Sequence, residues 1–176
     1  LAPFKLFQPH NRLAMGTRFL SQSVPLVRPE APLVRNAVPG TDEQVSFETL
    51  YRDRVGTVSS RQDGTVLDVR PDRIVLATVG PDGKPKNKTH WLHRHTPLGS
   101  KTALINRPVV QVGQTVRSGD LLATSNFADE RGDIALGANA RIAIMPWRDN
   151  YEDTYVISES FANRLSRHPS YDYRRE

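Results

Sequence analysis

The sequence predicts a mainly β fold with few short helices, and three observations carry that prediction. Proline (13) and glycine (11) are frequent among the 176 residues, which favours strands and turns over long helices. Between residues 51 and 128, short runs rich in Val, Ile, Leu and Thr alternate with turn pairs. In "NRPVVQVGQTVRSGDLLATS", Gly113 and Gly119 separate very short apolar runs. A chain that turns this often builds a small barrel or sandwich rather than a parallel α/β sheet.

Residues 1–50 hold little regular periodicity. "NRLAMGTRFLSQSVPLV" fits one helix, with Leu13, Met15, Phe19 and Leu20 loosely on one side and Pro25 as its stop. "VPLVRPEAPLVRNAVPG" is proline-rich and reads as an extended, docked connector, in which Leu26, Val27, Leu33 and Val34 need a surface to cover them.

Residues 51–128 read as strands at Val55–Val58, Thr65–Val69 and Ile74–Leu76, with turns at Asp63-Gly64 and Pro71-Asp72. "GPDGKPKNKTHWLHRHTPLGS" reads as a polar loop with a hairpin tip at Asp82-Gly83. Val110, Val112, Val116, Leu121 and Leu122 supply the apolar positions that follow. Residues 129–176 begin with a turn at Gly137 and a strand from Arg141 to Met145. A second strand-like run at Val156-Ile157 and a short helix capped by Ser158 or Ser160, carrying Phe161 and Leu165, complete the expected elements.

Composition bounds the function classes. The chain is 38% apolar, a little low for a self-sufficient globule. No run of apolar residues is long enough to cross a membrane, and the first residues carry no apolar leader core. Cysteine is absent, which excludes disulfides and cysteine-based zinc sites and fits a reducing compartment. The net charge is +5 and its excess is mostly arginine, so polyanions are plausible partners beside the plainer reading of a basic soluble protein. The first residue is not Met and the chain stops at "YDYRRE", which reads as a piece of a longer polypeptide or one product of a split gene.

Four groups of residues invite a chemical reading. Glu152 and Asp153 adjoin each other in a turn, where one can face a cation and the other a supporting group; an ordinary solvated turn is the competing reading. Asn11 and Arg12 precede an apolar segment, and an arginine held by a helix can clamp a triphosphate, unless it is simply a surface residue. His90, His93 and His95 crowd together, but no single conformation gathers all three, and Lys88, Arg94 and Lys101 disfavour a cation there. A basic loop near nucleic acid is the better functional reading of that stretch. The glycine-punctuated run also occurs in biotinyl and lipoyl carrier folds. Lys84, Lys86 and Lys88 lack the context of an attachment lysine, so the fold passes that comparison and the carrier function does not.

Taken in order, "NRLAMG" with "QSVPLVRPEAPLV", then "GTVLDVRPDRIVL", "NRPVVQVGQTVRSGDLLA" and "GDIALGANARIAIMPW" leading to "YEDTYVISE" resemble the β subunit of multisubunit DNA-directed RNA polymerases. The resemblance covers nearly the whole chain. It implies an active-site-face segment and connector over 1–50, a sandwich–barrel hybrid over 51–128, and the start of a double-psi β-barrel over 129–176. It implies nucleotidyl transfer within an assembly that uses Mg²⁺. The partners would be a β′-like large subunit carrying the catalytic aspartates, other β segments, DNA template, RNA transcript and nucleoside triphosphates. On the same resemblance Asn11, Arg12 and Gln22 would contact the incoming nucleotide, and Glu152 and Asp153 would form the acidic pair near the second Mg²⁺. Two departures stand out: the turn "RDNY" is one residue shorter than the family's Asn-Gly-Tyr-Asn-Phe, and Ser21 replaces a family arginine. Such divergence points to an unusual polymerase, phage-encoded by one reading, acting in the cytoplasm of a host cell or packed in a virion. The rival from another class is a non-catalytic β-barrel module that binds nucleic acid or a partner protein.

Overall fold

The computed structural model describes residues 9–35, 37–40, 45–98, 102–148 and 150–166. Lys101 and the terminal "YDYRRE" lie outside them, as does Asp149 of the shortened turn. The elements follow in order: helix α1 (His10–Ser21), helix α2 (Phe47–Leu50), a 3₁₀ turn (Arg52–Val55), strands β1 (Val58–Ser59), β2 (Gly64–Arg70), β3 (Arg73–Val79), β4 (Pro85–Trp91), β5 (Arg94–Leu98), β6 (Thr102–Pro108), β7 (Thr115–Val116) and β8 (Leu121–Ser125), and helix α3 (Glu159–Arg164). The strands form two antiparallel four-stranded sheets, ordered β4-β3-β2-β7 and β1-β8-β6-β5. The mainly β class with few short helices is the one the sequence predicts.

Alternation explains the core. Along β3, Ile74, Leu76 and Thr78 are buried while their neighbours are less so, as a pleated strand with one covered face requires. Val66, Ile74, Leu76, Leu92, Val110, Val116, Leu122 and Ala123 pack together. At about 1.5–3 kcal/mol for each large side chain removed from water, this cluster supplies the main cohesion between the sheets. A register shift between Val66 and Asp68 interrupts the β2–β3 ladder and turns Leu67 outward.

Polar residues hold the second sheet. The Asn106 amide donates to Gly56 O at 2.6 Å and Thr124 O at 3.0 Å, and accepts from His93 N at 2.7 Å. Asn126 accepts from Ile105 N at 3.0 Å and donates to Ala103 O at 2.8 Å. Both asparagines are buried, so these bonds satisfy groups that would otherwise be costly to desolvate.

Several expectations need correction. Val55–Val58 is not a continuous strand. Gly56 takes a left-handed φ of 83°, and a Cβ there would overlap the Leu104 side chain. Gly64 is not a turn residue but opens β2, where a Cβ would collide with Ala77 O across the ladder. The Asp82-Gly83 hairpin tip is present, closed by Gly80 N to Lys84 O at 2.8 Å. The "polar loop" beyond it is instead β4 and β5. Their few apolar residues, such as Trp91 and Leu98, do not alternate with polar ones, so no pattern announced them.

The connector docks through its backbone and Glu30. Pro25 and Leu26 are buried, and Glu30 N donates to Gly137 O at 2.8 Å. Leu33 and Val34 remain 85% and 89% exposed, so the described residues do not cover them. The strand expected at Arg141–Met145 does not form, and neither does one at Val156-Ile157. An isolated strand cannot satisfy its backbone groups, and no described residue pairs with either stretch. Ile142, Ile144, Met145, Trp147, Tyr155, Val156 and Ile157 are all exposed in consequence. Helix α3 is capped as expected, with Ser158 Oγ accepting from Phe161 N at 3.2 Å.

Candidate functional site

Helix α1 carries Arg12 and Asn11. The Asn11 side-chain oxygen accepts from Arg12 N at 2.9 Å, satisfying one of the free donors of the first helical turn. The Arg12 guanidinium is exposed, with Met15 Sδ 4.0 Å from its Nη1. Met15 and Phe19 on the same helix are exposed apolar residues. Gln22 follows the helix, its backbone N bonded to Arg18 O at 3.0 Å and its side chain exposed. The helix ends at Ser21 rather than running up to Pro25.

Glu152 and Asp153 lie on an exposed turn between the two unpaired apolar stretches. Glu152 adopts a φ of 53°, unusual for a residue with a Cβ. Thr154 braces the turn: its Oγ1 accepts from Tyr151 N at 3.0 Å, donates to Tyr151 O at 2.7 Å, and also contacts Asn150. The adjacent carboxylates are thus displayed together. Among the described residues no hydrogen bond or ion pair joins them to Arg12.

Glu30, which carried no weight in the sequence reading, links the segments that bear these residues. Its Oε2 accepts from Asn139 N at 2.9 Å and Asn139 Nδ2 at 3.2 Å. Its Oε1 pairs with Arg164 of α3. Asn139 Nδ2 also donates to Ala31 O at 2.9 Å. The connector that follows α1, the chain leading into the acidic turn, and the helix that leaves it therefore meet at one carboxylate. Arg164, and then Asn139, hold that carboxyl below its ordinary pKa. A second tie pairs Arg35 with buried Asp133, which also accepts from Thr49 Oγ1 at 2.9 Å. Nothing in the local sequence pattern marks either acid, because both contacts bridge distant parts of the chain.

Mg²⁺ demands near-octahedral oxygen coordination. Among the described residues no group of three or more acidic, histidine or cysteine side chains is placed to hold a metal. Two exposed carboxylates do not make such a sphere, so these residues alone do not fit a resident ion. His90, His93 and His95 do not converge either. His93 Nδ1 lies 3.0 Å from Thr96 Oγ1, and burial, then Lys88 and Arg61, lower the His90 pKa.

Residues 59–169 match the family model described as RNA polymerase Rpb2, domain 6. The chain is 39% identical over 165 residues to the protein named DNA-directed RNA polymerase subunit beta of Thermus aquaticus, covering 93% of this chain and 14% of that protein. The like-named protein of Synechococcus sp. (strain CC9311) is 39% identical over 164 residues, covering 93% and 14%. That of Erythrobacter litoralis is 36% identical over 162 residues, covering 90% and 11%. The chain therefore spans only about a seventh or less of these relatives' length. With the family model matching well over half of its residues, this chain belongs to the RNA polymerase Rpb2 domain 6 family, as a segment of β-subunit type.

Proposed function

We propose that the chain acts within an assembled DNA-directed RNA polymerase, lending side chains to the site that binds the incoming nucleoside triphosphate during template-directed nucleotidyl transfer. On this reading residues 51–128 are the sandwich–barrel hybrid and residues 129–176 open the double-psi β-barrel. A β′-like subunit brings the catalytic aspartates, and DNA template and RNA transcript pass through the shared cleft.

The observation that carries the reading is the unpaired state of residues 141–148 and 150–157. An acidic turn is braced and exposed between apolar stretches that find no partner within the described residues. Such stretches call for strands from elsewhere, and on this reading Glu152 and Asp153 would stand at a junction between chains or segments. In two-metal phosphoryl transfer the divalent ions neutralise charge on the triphosphate and on the attacking oxygen. Glu152 and Asp153 would stand near the ion that accompanies the nucleotide, with other ligands coming from outside this chain. Arg12, steadied on α1, would form charge-assisted hydrogen bonds to the triphosphate and offset negative charge on the leaving pyrophosphate. Asn11 and Gln22 would line the same approach.

Arg12→Ala in the assembled polymerase tests this. A lost charge-assisted bond of about 1.5–3 kcal/mol corresponds to an apparent KM for nucleotides raised roughly ten- to hundredfold, with subunit assembly intact. Arg12→Lys should recover part of the loss, since it keeps the charge but not the paired geometry. An unchanged KM removes Arg12 from the site and favours the second reading, a non-catalytic barrel module. What supports that second reading is the cationic face of β4, fully formed within this chain.

A further inference from the structure

Strand β4 lies at the edge of its sheet and pairs only with β3 among the described residues. Alternate backbone N–H and C=O groups on its other side therefore point outward, as on any antiparallel edge. Its side chains are sorted by face. Lys86, Lys88 and His90 stand opposite Thr78, Leu76 and Ile74, on the side of the sheet that faces the core. Pro85, Asn87, Thr89 and the exposed Trp91 take the other side.

Arg61 approaches the lysine side from the loop before β2. Arg61, Gln62, Lys88 and His90 surround a cavity of about 160 Å³ above Leu76 and Thr78. No carboxylate lines it. Among the described residues Arg61, Lys86 and Lys88 make no ion pair, although acids elsewhere in the chain pair with Arg35, Arg70, Arg73 and Arg164. His90 feels this uncompensated charge, since Lys88 and Arg61 add to burial in disfavouring its protonated form.

We propose that the β4 edge is a docking strand for an extended acidic segment of a partner protein, whose alternate Asp or Glu side chains meet Lys86, Lys88 and Arg61. Strand addition uses the outward backbone groups for affinity and alternate side chains for selectivity. Charge decides the occupant: lysines on an edge repel a second copy of the same strand, whereas an acidic strand satisfies them. The geometry argues against single-stranded nucleic acid. Trp91 faces away from the lysines, so the base-stacking platform and the phosphate contacts that such binding combines would fall on opposite faces.

The test uses the intact polymerase that carries this chain and two fluorescein-labelled peptides, one alternating Glu and Thr, the other Lys and Thr. The expected result is that the acidic peptide binds at low salt, and that Lys86→Glu with Lys88→Glu weakens it at least tenfold. That variant should bind the Lys-Thr peptide instead, and keep its nucleotide incorporation, because neither lysine belongs to the Arg12 site. N-methylation of alternate residues of the acidic peptide should abolish binding, since it removes the strand's donors. Absent binding, equal binding to native protein and variant, or binding indifferent to N-methylation each overturn the proposal. Loss of oligo(dT) binding in the variant without loss of peptide binding overturns it in favour of a nucleic-acid face.

Discussion

Asn106 holds three backbone segments with one buried amide, bonding His93 N, Gly56 O and Thr124 O at 2.7, 2.6 and 3.0 Å. Asn106→Ala leaves these groups unpaired in the interior, and each such group costs about 1–3 kcal/mol. The subunit should lose about 3 kcal/mol of stability or more, read as a lower thermal midpoint; a shift smaller than 1 kcal/mol would mean the bonds contribute little. The sequence did not mark this residue, because asparagine in a strand-rich stretch ordinarily signals a turn. Arg12, Glu152 and Asp153 drew notice for a different reason: they sit in motifs that resemble a known family, and their role in the site is a proposal. Their surroundings drew none, since Thr154's brace and the left-handed φ of Glu152 depend on the folded turn.

Elements were legible where one face is apolar and the other polar. Strand β3 shows that alternation in its burial, β8 is instead buried along nearly its whole length, and the β3–β4 hairpin tip shows its Asp-Gly pair. Strands β4 and β5 were not legible, because their few apolar residues do not alternate with polar ones, and the ladder with β3 makes β4 a strand. The run 141–145 fails the other way: its pattern suits a strand, but strand formation also requires a neighbour. Glu30 binds the connector to the elements on either side of the acidic turn, and its behaviour with pH is predictable. Its pKa is lowered in the fold, chiefly by Arg164, so its contribution is present above the ordinary value of 4.5 and is lost as pH falls through the lowered one. Amide exchange around residues 30 and 139 should therefore quicken below that ordinary value. Glu30→Gln should remove the pH dependence while retaining part of the hydrogen bonding. An exchange profile identical in native protein and variant would show that the carboxylate does not anchor the connector.

At the scale of the whole molecule, the described residues combine a closed core with an open flank. The two sheets bury Val66, Ile74, Leu76 and Leu122 completely, while residues 142–148 and 150–157 and the exposed Met15 and Phe19 of α1 present apolar surface to solvent. Exposed apolar area of this extent marks an interaction surface, and it flanks the residues proposed to contact the nucleotide. A barrel-like class could be read from turn spacing alone; the open flank could not, because whether an apolar run finds a strand partner depends on the folded neighbours and not on its own pattern. The account rests on Arg12 and the Glu152–Asp153 turn converging once that flank is covered. A structure of the assembled polymerase with an incoming nucleotide bound measures this directly. The Arg12 guanidinium is expected at hydrogen-bond distance, about 3 Å, from a triphosphate oxygen, with both carboxylates within one water of the same group. Arg12 and the acidic turn lying on separate faces, each remote from the nucleotide, would contradict it.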